Sequence, residues 1–119
     1  MNEITHRSVD AVVNALLDKK ALNVVSMDVK EITPLADYFV IASGNSSVHM
    51  NSLVDAAAEA LDKIRVDYRI EGHAGTQWTL IDAGDLIVHI FSVKGREYYK
   101  IERIWGDAPT THYEGESCF

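Results

Sequence analysis

A mixed α/β domain, with a sheet of about five strands and helices packed on it, follows from three features of the sequence. Helical and strand periodicities interleave in the order α-β-β-α-β-β-β-α. Strand runs that follow one another directly exclude an all-parallel doubly wound sheet. The length, 119 residues, is that of one domain. The expected division is one domain over residues 1–108 and a polar C-terminal tail over 109–119.

Val9, Val12, Val13, Leu16 and Leu17 recur at helical spacing and predict a helix from near Ile4 to near Lys20, with Lys19 and Lys20 in its last turn, where cations suit the macrodipole. In Leu22 to Val29 the residues Val25, Met27 and Val29 alternate against Ser26 and Asp28, the period of a strand. Glu31 to Pro34 is a turn. Asp37 to Ser43 is a continuous β-rich run, as in a central strand covered on both faces. Gly44, Asn45 and Ser46 close that strand and supply an N-cap for a second helix reaching about Arg65. Its apolar stripe is Met50, Leu53, Val54, Ala57, Leu61 and Ile64. Val66 to Ile70 reads as a brief strand and Glu71 to Thr76 as a loop. Gln77 to Asp82 and Leu86 to Ser92 form a hairpin, with Ala83 and Gly84 taken as its two turn residues. Lys94 and Gly95 lead into a last helix, Arg96 to Trp105, with Glu97 in its first turn, Gly106 at its end and Tyr98, Ile101 and Trp105 on one stripe. From Asp107 onward the chain is polar and expected to fray.

Composition narrows the function. Eleven Lys and Arg stand against 18 Asp and Glu, a net charge of −7. An acidic domain gains no counterion-release affinity from phosphates, so direct nucleic-acid binding is not expected and a basic protein partner is. The single cysteine, Cys118, cannot form an internal disulfide, and no apolar run reaches membrane-spanning length, which points to the cytoplasm.

The hairpin is the unusual element. With the turn at Ala83-Gly84, Asp82 faces Asp85, Leu80 faces Ile87 and Trp78 faces His89. One face then carries Trp78, Leu80, Asp82, Asp85, Ile87, His89 and Phe91, and the other Thr79, Ile81, Leu86, Val88 and Ile90. The second face suits packing under helices. The first, an aromatic with aliphatics and an acidic rim, is composed like a partner-binding patch. It could equally be covered by the last helix, with its acids solvated, and composition alone leans that way.

Catalytic constellations are missing. His6, His49, His73, His89 and His112 are scattered without ligand spacing, so no metal and no cofactor are expected. Gly44-Asn45-Ser46 before a helix could hold an anion, although a plain cap explains it. A strand, a Gly-x-Ser and a helix outline a nucleotidyltransferase, but Asp55, Glu59, Asp67 and Glu71 do not build the convergent carboxylates that such an enzyme needs. Catalysis is therefore not expected.

Several segments carry a resemblance: Asp37-Tyr38-Phe39-Val40-Ile41-Ala42-Ser43-Gly44-Asn45-Ser46 with His49, Glu71-Gly72, the run from Trp78 to Phe91, Arg96-Glu97-Tyr98-Tyr99, and Glu102-Arg103-Ile104-Trp105-Gly106-Asp107. Together, over roughly Val9 to Ala108, they resemble the ribosomal silencing factor (Iojap) family. Ala83 departs from the aromatic often found between that Asp and Gly. The resemblance implies a nucleotidyltransferase-like fold without the catalytic carboxylates. It implies binding to large-subunit ribosomal protein fourteen and blocked joining of the ribosomal subunits, with organellar relatives assisting large-subunit assembly. On that reading Trp78 and Leu80 are apolar anchors, Asp82 and Asp85 face cations of the partner, His89 supports the indole, and Arg96, Glu97 and Tyr99 lie near the rim. A weak homodimer through the same patch is compatible with it. A divergent nucleotidyltransferase-type enzyme is the alternative, as is a large-subunit assembly factor.

Overall fold

The computed structural model describes residues 3–72 and 77–113, with the backbone alone at 3–5; His73 and Cys118, both weighed above, lie outside them. Helix α1 (Glu3–Asp18) buries Val9, Val12, Val13 and Leu16. It stops two residues short of expectation. Lys20 turns left-handed (φ 62), and its N–H donates to the Leu17 carbonyl while that of Ala21 donates to Leu16. This double closure places Lys19 and Lys20 beyond the last turn rather than within it. Helix α2 (Ser47–Lys63) ends in the same way at Arg65, φ 60. Its closure uses the N–H of Val66, bonded to the Leu61 carbonyl, so the chain joins a ladder only three residues later.

Six strands make one mixed sheet: β1 (Leu22–Asp28), β2 (Tyr38–Gly44), β3 (Arg69–Glu71), β4 (Trp78–Asp82), β5 (Leu86–Ser92) and β6 (Thr110–Tyr113), in the spatial order β3-β4-β5-β2-β1-β6. The neighbours β2 and β5 run parallel and every other pair antiparallel. The central position expected for residues 37–43 holds: Phe39 to Gly44 are all buried. The sixth strand corrects the expectation of a frayed chain after Asp107. Thr110–Tyr113 pairs with Met27–Val24, and the Tyr113 hydroxyl meets that of Ser26 at 3.0 Å.

Both faces of the sheet are packed. Helices α1 and α2 seal one face over an aliphatic cluster in which Val12, Leu16, Leu53, Leu61, Ile81, Val88 and Ile90 have no exposed surface. Burying such side chains fully contributes roughly 1.5–3 kcal/mol each. The other face holds Val25, Met27, Phe39, Ile41, Phe91 and Ile101, with Trp78, Ile87 and Trp105 only partly covered.

The expected last helix, Arg96 to Trp105, is two helices: α3 (Val93–Tyr99) and α4 (Ile101–Ile104). It begins earlier because the Ser92 hydroxyl accepts the Gly95 N–H at 2.9 Å, a side-chain N-cap. It breaks at Lys100, which is left-handed (φ 51) and donates its N–H to the Arg96 carbonyl. The single stripe of Tyr98, Ile101 and Trp105 dissolves with it: Ile101 is buried, Trp105 is half-buried, and Tyr98 is 79% exposed. Gly95 lies inside α3, and a Cβ there would stand 2.5 Å from the Gln77 carbonyl oxygen. That close approach seats α3 on the start of β4. Among the described residues no helix is long and apolar enough to cross a membrane.

Candidate functional site

The hairpin of β4 and β5 pairs Asp82 with Ile87, Leu80 with His89 and Trp78 with Phe91. The expected pairs of Trp78 with His89, Leu80 with Ile87 and Asp82 with Asp85 are thus displaced by two residues. The cause is the turn. The Ala83 N–H donates to the Leu86 carbonyl at 2.9 Å, which makes Gly84 and Asp85 the turn residues, with glycine at φ 81 in the first of them. That position of a two-residue hairpin turn needs a positive φ, which Gly84 supplies without strain and alanine would not. A shift of two keeps each side chain on its expected face. It removes Asp85 from the ladder, however, and Asp82 instead accepts the Gly84 N–H at 3.0 Å.

On the face opposite α1 and α2, aromatic rings touch in series. Trp105 meets Phe39 edge-on (5.7 Å between centroids) and Phe39 meets His89 (4.8 Å). His89 neighbours Trp78 (5.8 Å), Trp78 meets Tyr99 (4.9 Å) and Tyr99 meets Tyr98 (5.0 Å). Phe91 is fully buried beneath and stacks on Trp78 at 5.1 Å. The series runs from core to surface: His89 is buried, Trp78 and Trp105 are half-buried, and Tyr99 is 42% exposed. Leu80 and Ile87, half-buried on the same face, extend it toward the turn, where Asp82 is half-buried and Asp85 exposed. The last helix, weighed from composition as a cover for this face, reaches Trp78 and Phe91 through Tyr99, while Trp78, Leu80 and Ile87 stay only half-buried.

The Trp78 Nε1–H donates to His89 Nδ1 at 3.1 Å. In the observed register His89 sits diagonally from Trp78, still within reach of a long aromatic side chain. An accepting Nδ1 fixes a neutral imidazole with its proton on Nε2. Burial pushes the His89 pKa down to about 4. His89 Nε2 is itself buried and has no hydrogen-bond partner among the described residues. A buried unsatisfied donor costs roughly 1–3 kcal/mol.

Arg96, expected at the rim, is tied into the protein. Its guanidinium grips Glu102 through two bonds of 2.7 and 3.0 Å and reaches the Leu22 carbonyl and the Ser43 hydroxyl. The Arg96 hydrogen bond holds the Glu102 carboxyl below its ordinary pKa. This fork fastens α3 and α4 to the ends of β1 and β2. Glu97 is exposed on the far side of α3 from Trp78, in an open cleft of about 360 Å³ lined also by Val93, Lys100 and Arg103.

The Gly44-Asn45-Ser46 turn is a cap. Ser46 Oγ accepts the His49 N–H, His49 Nδ1 accepts the Asn45 N–H, and His49 Nε2 meets the Lys19 carbonyl at 2.9 Å. The amides that an anion would use are partly spent, and His49 ties α2 to the end of α1. Among the described residues no group of three or more His, Cys, Asp or Glu side chains is placed to hold a metal ion.

With that geometry in hand, comparison with known proteins decides the family. The family described as ribosomal silencing factor during starvation matches residues 2–117. The chain belongs to this family. The ribosomal silencing factor RsfS of Halalkalibacterium halodurans is 40% identical over 104 residues, covering 87% of this chain and 89% of that one. A crystal structure of a protein from Chromobacterium violaceum superposes with a TM-score of 0.82 at 29% identity, covering 96% of this chain and 89% of its own. A mouse protein named mitochondrial assembly of ribosomal large subunit protein 1 is 30% identical over 101 residues, 82% of this chain but 44% of its own length. The mixed sheet with packed helices is therefore the fold of this ribosomal silencing family.

Reading the sequence missed two parts of the site. Trp105, at the end of α4, joins the aromatic series through Phe39 of β2, a long-range contact that no local spacing encodes. The internal role of Arg96 carried a signal, the Glu six residues later, but only the break at Lys100 brings the two together.

Proposed function

We propose that this protein binds the large ribosomal subunit in the cytoplasm through the Trp78 face and blocks joining of the small subunit by steric occlusion, repressing translation. The observation that carries the proposal is the half-buried indole at the edge of a packed aromatic cluster. An aromatic anchor that is pre-positioned yet still accessible is the usual form of a binding hot spot. Trp78 and Leu80, flanked by Tyr99, form the apolar centre. Asp82 and Asp85 stand at the turn to meet Lys or Arg, and Glu97 lies further out. The net charge of −7 favours a basic ribosomal protein, and the family resemblance points to large-subunit ribosomal protein fourteen. Docking of this kind speeds with falling salt. No bond is made or broken: the protein acts as a wedge.

Purified protein sedimented with large subunits tests this reading. It predicts co-sedimentation and a lower yield of joined ribosomes once small subunits are added. Absence of co-sedimentation at low salt contradicts it, and a self-associated protein that ignores the subunit would point to a homodimer instead. The mouse relative's name favours a second reading, assistance in large-subunit assembly. Cells lacking the protein would then accumulate immature large subunits, whereas silencing alone leaves the particles mature and changes only their joining.

A further inference from the structure

His89 is a poor choice for the place it occupies if packing is its purpose. It is 3% exposed among Phe39, Phe91 and Trp78, and one ring nitrogen has no hydrogen-bond partner among the described residues. An aliphatic residue of similar volume would fill the same space with no polar group to desolvate. What histidine supplies there, and leucine cannot, is a hydrogen-bond acceptor aimed at the Trp78 indole N–H.

We infer that His89 is a positioning residue, a neutral Nε2–H imidazole retained at a cost in stability because its Nδ1 fixes the orientation in which Trp78 is offered to the ribosomal partner. The inference rests on the docking role proposed above and adds to it how the anchor is held. Indole rotation is the motion at issue. Trp78 leans on Phe91 and Tyr99 by ring contacts that tolerate sliding, whereas a hydrogen bond of 3.1 Å defines one rotamer. A side chain already held in its bound rotamer loses less freedom on docking. The groups packed around the imidazole come from β2 (Phe39), β4 (Trp78) and β5 (Phe91), with Tyr99 of α3 behind Trp78; none of these carries a charge at neutral pH. The burial that holds His89 neutral is consistent with a permanent acceptor.

Two substitutions separate positioning from packing, because they push stability and binding in opposite directions. His89→Leu removes both the acceptor and the unsatisfied donor. It should unfold at the same or a higher temperature, yet bind large subunits about tenfold more weakly. His89→Asn sets its Oδ1 near the former Nδ1 and leaves a void. It should unfold at a lower temperature, yet recover most of the affinity per folded molecule. A merely structural histidine gives the reverse pattern: His89→Leu bound as tightly as the parent, or weakened only in proportion to its unfolded fraction, overturns the inference. Nitrogen NMR of the unaltered protein is the second check, independent of both variants. It should show His89 protonated at Nε2 alone at pH 7 and the Trp78 indole proton slow to exchange; protonation at Nδ1 overturns the assignment. Failure of the parent protein to bind subunits would instead sink the docking role, while the spectrum and the two melting temperatures would still report on the bond.

Discussion

The two faces of the sheet are built from different side chains and finished to different degrees. Beneath α1 and α2 the cluster is aliphatic, and its central residues, from Val12 and Leu16 to Val88 and Ile90, are sealed from solvent. On the opposite face aromatic rings are mixed among the aliphatic residues, the covering helices are short, and Trp78, Ile87 and Trp105 remain partly open. Two full helices with regular stripes close a surface, whereas two short helices broken at Lys100 leave an edge of it bare. The sealed face accounts for stability and the open face offers contact, so changes on each should register in different measurements.

The largest effect belongs to the sealed face. Leu53→Ala, at a site with no exposed surface, should cost about 3–5 kcal/mol of unfolding free energy in denaturant titration. Affinity per folded molecule for large subunits should be unchanged. A comparable loss of stability from any residue of the open rim would blur the division.

A pH titration of unfolding probes the boundary between the faces. Burial holds the folded-state pKa of His89 at about 4, below the ordinary histidine value of 6.5, so the unfolded chain takes up the proton first as pH falls. The contribution is complete above about pH 6.5 and drains away between there and pH 4, amounting to roughly 3 kcal/mol by the linkage relation. The lowered carboxyls of Asp28, bonded to Lys30, and Glu102, bonded to Arg96, add losses in the same direction at lower pH. His89→Leu should flatten the upper part of this slope; an unchanged slope would mean that His89 is not buried neutral.

Charge at the hairpin tip sets a smaller effect. Replacing Asp82 and Asp85 with Asn should weaken subunit binding by about 1 kcal/mol and reduce its salt dependence, chiefly through a slower association rate. Asp82 also lies 3.8 Å from Arg69, but that exposed pair contributes little to stability. Smallest of all, Tyr98→Ala, at a side chain 79% exposed, should shift unfolding free energy by less than about 0.5 kcal/mol.

Much of this organisation was legible in the sequence where its determinants are local. The stripes of α1 and α2, the alternation in β1 and the unbroken run of β2 all reflect periodicities that survive packing. The division of hairpin residues between faces was legible too, because an error of two in the register preserves the face of every side chain. The register itself turned on whether Gly84 stands first or second in the turn, and a preference for glycine in the first place would have decided it. Two features had no comparable signal. Lys100, like Lys20 and Arg65, adopts a positive φ that nothing in a lysine or arginine announces. The strand Thr110–Tyr113 exists through pairing with β1, more than 80 residues earlier in the chain, and its Thr-Thr-His-Tyr composition is a weak hint beside that long-range contact. In the candidate site, the mixture of indole, imidazole and carboxylates on one face was readable, but how far each ring is covered depends on where α3 and α4 lie.

The most direct test is the affinity of folded Trp78→Ala for large ribosomal subunits, measured beside the parent protein with circular dichroism to confirm the fold. Loss of the indole should weaken binding by about 2 kcal/mol or more, roughly thirtyfold. Equal affinity in an intact domain would mean that the open aromatic face is not where this protein meets the ribosome.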